Sequence, residues 1–198
     1  MELKVENLTK RYGGRTVLDG VSFTLREGVT CLMAPSGAGK TTLLRLLLGL
    51  EKADGGQITG LAGRRVGTVF QEDRLLPWLT ALGNVEAVLP KGEKAQAAEA
   101  LRAMGLPAEA FAKRPEALSG GMRRRVALAR MVCFGGDVWL MDEAFKGLDT
   151  DSKHQVMDAL LRYAEGRLIV MVTHDEQDAR YMDAHIIRLT GPPLTVQA

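Results

Sequence analysis

Ala34-Pro35-Ser36-Gly37-Ala38-Gly39-Lys40-Thr41-Thr42 is the segment on which the predicted fold depends. The apolar run at residues 29–33 precedes it and is typical of a buried strand. The leucine-rich run at residues 43–50 follows it, and Gly49 near its end predicts a helix that stops there. A strand, a glycine-rich turn, Gly-Lys-Thr and a helix form the pattern of a phosphate-binding P-loop.

The residue types of this segment suit the binding of a nucleotide. Backbone N–H groups of the turn and of the helix N-terminus would hold phosphate oxygens. Lys40 would reach the terminal phosphates, and the Thr41 hydroxyl would ligate Mg²⁺. A glycine-rich turn can also bind nothing, so the flanking strand and helix carry the prediction. The residues predicted to contact the nucleotide here are Pro35, Ser36, Gly37, Ala38, Gly39, Lys40, Thr41 and Thr42.

Length and composition indicate an ordinary globular protein. The chain has 198 residues, of which 46% are hydrophobic and 25% are charged, with a formal net charge of +2. This charge is too small to indicate a nucleic-acid surface. We find no apolar run near the ~20 residues that span a bilayer, and the first residues do not resemble a signal peptide. Cys31 and Cys133 lie in apolar segments, which predicts buried, reduced thiols.

Residues 1–30 are predicted to form a small β region. Apolar and polar residues alternate over residues 3–8, Gly13-Gly14 indicates a turn, and residues 17–25 give one or two further strands. Tyr12 lies just before the turn. It could stack on a purine base or fill the core as an ordinary strand aromatic, and spacing alone favours the core.

Two further strands are predicted after the P-loop helix, at residues 57–59 and 66–70. The second strand ends at Gln71, and ligands of open α/β sheets bind where strands end. Gln71 could therefore reach a metal ion or an attacking water.

Residues 72 to about 118 have a different character. Ala97, Leu101 and Met104 recur at helical spacing, and no strand pattern interrupts this part of the sequence. We therefore expect a helical lobe inserted into the α/β core.

A long helix is predicted over residues 123–134, opened by Leu118-Ser119-Gly120-Gly121-Met122. Ser119 is a good N-cap, and the serine and two glycines offer unobstructed N–H groups to an anion. The run Arg123-Arg124-Arg125 is interpreted as a solvated helix start without a nucleic-acid role.

Two acidic residues follow the apolar run 138–141. Asp142 would hold Mg²⁺ directly or through water, and Glu143 would polarise the attacking water. Acidic residues at strand ends are also common on surfaces, but the preceding apolar residues and the P-loop argue against that interpretation. A later strand, at residues 167–172, leads to His174, which could hydrogen-bond the transferred phosphoryl group.

Taken together, these residues resemble the ATP-binding subunits of ABC transporters over nearly the whole chain. Tyr12 matches the adenine-stacking aromatic of that family, which reverses the preference given above. The motifs follow the order and spacing of the family: Walker A at 34–42, the Q-loop at Gln71, the signature motif at 118–122, Walker B with the catalytic glutamate at 138–143, the D-loop at 147–149 and the switch histidine at His174.

The resemblance implies an α/β fold of the P-loop NTPase type. Its core would be a mainly parallel sheet with flanking helices, joined by an N-terminal antiparallel β region and an inserted helical subdomain. The ATP-binding core would comprise residues 1–71 and 120–198, and the helical subdomain residues 72–119.

The resemblance also implies an ATPase that uses ATP and Mg²⁺. The residues it assigns to catalysis are Glu143, His174, Gln71 and Lys40. Those it assigns to the metal are Thr41, Gln71 and Asp142. Tyr12, the P-loop residues and the signature residues Ser119, Gly120 and Gly121 would bind ATP.

Within the family, residues 70–80 are similar to those of importers of the nitrate, sulfonate and taurine type. This segment contains Trp78, which would lie where the helical lobe meets the membrane subunit, or alternatively would only pack the lobe. Three positions depart from the family pattern without removing a phosphate or metal ligand: Ala34 and Ala144 replace glycine and proline, and Met122 replaces glutamine.

The expected partners are those of an importer. We expect a head-to-tail homodimer with ATP at its interface, transmembrane permease subunits and a separate solute-binding protein, and no nucleic acid. The chain would be cytoplasmic and peripheral on the cytoplasmic face of the cell membrane. The last strand is predicted at residues 186–189. Related subunits usually add helices after this strand, so the resemblance puts an accessory C-terminal contact in doubt.

Two other functions fit less well. A non-transport ABC ATPase acting on DNA or ribosomes usually carries a long coiled coil or tandem ATPase domains, and the sequence predicts neither. A nucleotide-sensing module would bind ATP without turnover, but the residues that turnover needs are present.

Overall fold

A computed structural model describes residues 1–197 of the chain. The chain divides into two compact units. The first comprises Met1–Val66, Asp137–Asp142 and the segment from Gly166 onward, and the second comprises Gly67–Gly136 and Glu143–Glu165.

Strands and helices alternate over residues 120–190, whereas residues 2–33 hold three consecutive strands. The strands are β1 (Glu2–Tyr12), β2 (Arg15–Arg26), β3 (Gly28–Met33), β4 (Gly55–Thr59), β5 (Val66–Val69), β6 (Val138–Asp142), β7 (Leu168–Val172), β8 (His185–Thr190) and β9 (Thr195–Val196). The α-helices are α1 (Lys40–Leu47), α2 (Ala81–Glu86), α3 (Lys94–Ala103), α4 (Gly120–Phe134), α5 (Thr150–Tyr163) and α6 (Glu176–Tyr181). Two 3₁₀ turns, Ala108–Ala110 and Pro115–Ala117, precede α4.

The strands form an antiparallel sheet and a larger, mainly parallel one. The first has the order β2-β1-β4, and the second has the order β5-β6-β7-β3-β8-β9. Strands β6 and β7 are buried along their whole length. This is expected of parallel strands, whose two faces are both covered.

The register of the parallel strands brings three chain segments to one edge of the sheet. Leu32 of β3 and Asp142 of β6 are both paired with Val172 of β7. Because the three strands end within two residues of this level, the segments that follow them leave from the same edge. Ligands bind at this edge in open α/β sheets.

One apolar core holds the first unit together. It is formed by inward-facing side chains from both sheets and from α1, including Leu3, Leu18, Leu32, Leu43, Leu140 and Val170. Burial of this apolar area is the main favourable contribution to folding.

Helices build the second unit. Helix α4 packs against α2, α3 and α5. Leu101 and Leu128 have no exposed surface. Residues 72–119 contain helices and turns and no strand. The predicted domain limits, 1–71 with 120–198 and 72–119, stay a prediction.

The predicted fold class is confirmed, but several short elements escaped prediction, among them α6 and β9. Helix α6 consists largely of polar residues without apolar periodicity, and Asp175 caps it by accepting a hydrogen bond from Gln177 N at 2.8 Å. Strand β9 has only two residues and pairs with the end of β8. Within residues 1–197, none of the helices combines the length and apolar character that crossing a bilayer demands.

The two cysteines differ in burial. Cys31 is buried in β3, as expected, whereas Cys133 is only half-buried. Burial raises the pKa of the Cys133 thiol to about 11, and Glu99 adds to this effect. Because the thiolate is the reactive form, Cys133 is an unreactive thiol at neutral pH.

Leu140→Ala should lower the free energy of unfolding by about 2–5 kcal/mol, because it leaves a cavity in the core of the first unit. Leu140 is fully buried there. Urea denaturation followed by circular dichroism measures the change. Leu50→Ala is the control, since Leu50 is 61% exposed, and its effect should stay within about 0.5 kcal/mol. Equal effects of the two substitutions would contradict the assigned core.

Candidate functional site

The P-loop runs from β3 into α1 with two glycines in the left-handed region. Gly37 has φ 76° and Gly39 has φ 114°. A Cβ at Gly39 would lie 3.0 Å from Val17 Cγ1 and 3.2 Å from the Val17 carbonyl oxygen. Glycine is therefore required at position 39 by both the backbone conformation and the space available. Of the other loop residues, Pro35, Ser36 and Gly37 are exposed and Ala38 is buried.

Lys40 reaches back over the loop from the start of α1. Its ammonium group donates hydrogen bonds to the carbonyl oxygens of Ala34 at 2.7 Å and Pro35 at 2.9 Å. The positive charge of Lys40 therefore lies on the loop that the sequence predicts to bind phosphate. Ala34 itself is buried, so the methyl group that replaces glycine there packs into the core.

Thr41 and Asp142 meet although they are far apart in sequence. The Thr41 hydroxyl lies 3.4 Å from Asp142 Oδ2. Asp142 is the last residue of β6 and is buried. A hydroxyl and a carboxylate oxygen are ligands that Mg²⁺ accepts together with phosphate oxygens. The donor set therefore fits the predicted metal.

His174 follows β7 by two residues, at the same edge of the sheet as Asp142. It is exposed. A hydrogen bond from Asp175 N to Thr173 Oγ1, at 3.1 Å, spans the position of His174.

Tyr12 is the last residue of β1 and does not fill the core. It is 44% exposed, and its hydroxyl donates to a carboxylate oxygen of Glu51. Glu51 also pairs with Arg45 of α1, at 3.3 Å. An exposed ring in this position suits base stacking rather than core packing.

In the second unit, Glu143 begins the turn after β6. Its φ is 48°, in the left-handed region that residues other than glycine rarely adopt. The turn is closed by a hydrogen bond from Lys146 N to the Glu143 carbonyl oxygen at 3.1 Å. Such backbone strain is common at functional sites.

The signature residues form the start of α4, one turn earlier than the helix start predicted from the sequence. Ser119 is the N-cap, as predicted, and its Oγ accepts a hydrogen bond from Met122 N at 3.2 Å. Ser119 and Gly120 are exposed. A Cβ at Gly121 would lie 3.4 Å from Leu148 Cδ2 and 3.5 Å from the Gly147 carbonyl oxygen, so the D-loop packs beside the helix start.

The interpretation of the arginine run as a solvated helix start is wrong for Arg124. This side chain is only 7% exposed, and its guanidinium donates to the carbonyl oxygens of Phe70, at 2.6 Å, and Gln71. Arg124 and Leu128 are one helical turn apart on the buried face of α4. That i,i+4 spacing was the signal in the sequence.

Asn84 is a second residue that the sequence did not single out. It is fully buried, and its side chain bonds the backbone of residues 76–80, including Leu76 N at 2.7 Å and the Leu76 carbonyl oxygen at 3.1 Å. Trp78 lies within this fixed segment and is 66% exposed. The alternative that Trp78 only packs the lobe is therefore wrong.

Each unit carries part of the predicted site. The first holds Tyr12, the P-loop, Asp142 and His174, and brings Thr41 and Asp142 together. The second holds Gln71, Ser119, Gly120, Gly121 and Glu143. The functional roles of these residues stay predictions.

Comparison with known proteins gives consistent matches. Residues 18–146 match the family model described as ABC transporter. An aliphatic sulfonates import ATP-binding protein, SsuB 1 of Pseudomonas syringae pv. syringae, is 37% identical and the alignment covers 99% of this chain and 83% of that protein. The Fe(3+) ions import ATP-binding protein FbpC 1 of Rhodococcus jostii is 39% identical over 89% of this chain and 56% of its own length.

Solved structures agree with the sequence matches. The dimeric structure of MJ0796, a bacterial ABC transporter cassette, superimposes with a TM-score of 0.89 at 30% identity and covers 99% of this chain and 97% of that one. A post-hydrolysis structure of the same cassette, bound to ADP and Pi, gives a TM-score of 0.87 at 29% identity over the same shares of the two chains.

These matches confirm the resemblance derived from the motifs. The family model covers more than half of the chain, and the sulfonate-import relative aligns over nearly all of it. The chain therefore belongs to the ABC transporter family, as an ATP-binding ATPase of that family.

Proposed function

We propose that this ATPase powers the import of a small solute through a membrane permease. The observation that carries the ATPase part of this proposal is the contact between Thr41 and the buried Asp142, beside the P-loop to which Lys40 is hydrogen-bonded. The import part rests on the relatives. The relatives named above are import proteins for aliphatic sulfonates and for Fe(3+) ions. A small solute of the nitrate, sulfonate or taurine type is the class we infer.

In the proposed ATP complex, the P-loop backbone and Lys40 hold the phosphates. Lys40 leaves its carbonyl partners for the β- and γ-phosphate oxygens, which are stronger acceptors because they are charged. Tyr12 stacks on the adenine, and its hydroxyl bond to Glu51 holds the ring in place.

Thr41, Asp142 and Gln71 would hold Mg²⁺. The ion neutralises phosphate charge when bound. The short distance between Thr41 and Asp142 means that two of the three protein groups already lie side by side.

Glu143 is the proposed general base, and His174 the proposed hydrogen-bond donor to the transferred phosphoryl group. Glu143 would orient the attacking water and accept its proton. The left-handed backbone at Glu143 turns the chain sharply straight after Asp142. The proposed metal ligand, Asp142, and the proposed base, Glu143, are consecutive residues.

The active assembly is proposed to be a head-to-tail homodimer. Ser119, Gly120 and Gly121 of one subunit would complete the phosphate shell of its partner, where exposed N–H groups at a helix start stabilise negative charge. The dimeric structures of the related cassette support dimerisation, and the head-to-tail orientation is part of the proposal. ATP binding would close the dimer, and hydrolysis would reopen it.

Permease subunits are the proposed membrane partner, with Trp78 as an anchor. Asn84 already orders the backbone of this segment, so that binding through the exposed Trp78 would cost little further backbone entropy. The chain would then lie on the cytoplasmic face of the membrane, supplied with solute by a separate binding protein.

Glu143→Gln should reduce ATP hydrolysis by at least about 10²-fold, because the amide keeps the shape of the side chain but cannot accept the proton. ATP affinity measured by calorimetry should stay within about twofold. Phosphate release gives the rate. Glu109→Gln is the control, since Glu109 is exposed in the same unit. Near-normal turnover of Glu143→Gln would remove Glu143 from the catalytic role.

Mixing Ser119→Arg with Lys40→Ala should restore activity that neither variant has alone. In a head-to-tail dimer both damaged elements fall at one ATP site, which leaves the other site intact. ATP hydrolysis at several mixing ratios is the measurement, and each variant alone at the same total concentration is the control. No rescue, with mixed dimers shown to form by native mass spectrometry, would contradict a site shared between subunits.

Trp78→Ala should weaken association with the permease by about 30-fold, the effect of losing an interface anchor worth about 2 kcal/mol. ATP affinity should not change. The amount of a multi-span partner retained from solubilised membranes of the source organism measures the association. Leu161→Ala is the matched control, because Leu161 is 37% exposed in the same unit. Equal retention by both variants would exclude Trp78 as an anchor.

A further inference from the structure

Arg124 places a buried cation against the backbone of the Q-loop. Nη1 donates to the Phe70 carbonyl oxygen at 2.6 Å, and Nη2 donates to the Gln71 carbonyl oxygen. The two nitrogens of one planar guanidinium thus hold two consecutive carbonyl groups. Such a fork fixes orientation as well as distance.

Asp73 balances the charge of this cation. Asp73 Oδ1 lies 3.2 Å from Arg124 Nε. The two groups form an ion pair, but their geometry is not that of a hydrogen bond. Arg123 Nε lies 3.8 Å from Asp73 Oδ2. A buried charge is tolerated when it is paired in this way. The carboxylate therefore holds the guanidinium where it reaches the two carbonyls.

A second arginine of α4 holds the next part of the same loop. Arg130 donates to the carbonyl oxygens of Arg74, at 2.9 Å, and Asp73, at 3.1 Å. Residues 70–74 are therefore bonded along their length to one helix. We call this set, Arg124, Arg130 and Asp73, the Q-loop clamp.

The helix that carries the clamp begins at the signature motif. Ser119 caps α4, and Arg124 lies within its second turn. An α-helix behaves as a stiff rod over so short a length. A shift of Ser119 along the helix axis would therefore pass directly to the carbonyl group of Gln71.

We propose that Arg124 is a positioning residue for ATP hydrolysis. It fixes the backbone of Gln71 to helix α4 and so determines the position from which the Gln71 side chain extends. This inference rests on the proposed function, in which Gln71 helps to hold Mg²⁺. Gln71 contacts the subunit's own ATP in that function, whereas Ser119 contacts the ATP of the partner. Arg124 then links the two ATP sites of the dimer through one side chain.

Arg124→Lys tests the positioning role while the charge is kept. A lysine has a single nitrogen and cannot hold both carbonyls in the geometry of the fork. Arg130 still holds residues 73 and 74, so the fold should persist. Amide hydrogen exchange of the full chain, read by mass spectrometry, should rise several-fold in peptides covering residues 69–76.

Kinetics give the second measurement. The kcat of ATP hydrolysis should fall at least about fivefold, since misplacement of a positioned group by about 1 Å can cost up to about 10²-fold. KM for ATP should stay within about twofold, because the phosphate loop is untouched. A general loss of folded protein would lower the active fraction but would not raise exchange in one segment alone.

Arg125→Lys is the matched control for hydrogen exchange. Arg125 is the next residue of α4, and its Nη1 donates to the Gly105 carbonyl oxygen at 2.6 Å. This variant should raise exchange around residues 103–107 and not in 69–76. Asp73→Asn is a second test variant, which removes the charge that holds the guanidinium and should act in the same direction as Arg124→Lys.

The outcomes separate the clamp from the proposed function. Unchanged exchange in residues 69–76 of both Arg124→Lys and Asp73→Asn would overturn the clamp. Raised exchange with an unchanged kcat would overturn its role in hydrolysis. A parent chain that does not hydrolyse ATP would contradict the proposed function, and the exchange measurement would still decide the clamp.

Discussion

The parallel register of β3, β6 and β7 is the constraint on which the rest of the first unit depends. Leu32 of β3 and Asp142 of β6 are both paired with Val172 of β7. This pairing is what lets residues 34, 142 and 174 leave the sheet from one edge although they are scattered over most of the chain. A slip of one residue in β6 would turn Asp142 to the opposite face of the sheet. The hydrogen-bond ladder and the chemistry at its edge are therefore specified together.

In the second unit, polar side chains rather than strand pairing hold the loops in place. Asn84 satisfies the backbone of residues 76–80, and Arg124 and Arg130 satisfy the carbonyls of residues 70–74. A loop that runs through partly buried surroundings needs partners for its backbone groups. The consequence is that residues 70–80, the segment similar to that of nitrate, sulfonate and taurine importers, have a defined conformation in the absence of a partner.

Sequence reasoning succeeded where the physical signal is local. The P-loop, the apolar strands and the N-cap Ser119 depend on residues close together in the chain, and the structure has them as predicted. It failed for Arg124 and Asn84, whose partners are other segments of the chain. The sequence of an arginine run does not show whether its side chains are hydrated or donate hydrogen bonds to loop carbonyl oxygens. Helix α6 was missed for a related reason, since its cap rather than its apolar pattern defines it.

The left-handed backbone at Glu143 would oppose stability to activity at a single residue if the carboxylate has its proposed role. That conformation costs a residue with a Cβ about 1–2 kcal/mol, a cost that glycine escapes. Selection for thermal resistance alone would therefore favour glycine at this turn, and selection for turnover would oppose it if the carboxylate has its proposed role. Engineers who stabilise this protein by consensus or backbone design should leave position 143 fixed. If Glu143 has its proposed role, relieving this backbone strain with glycine would remove the carboxylate and with it ATP hydrolysis.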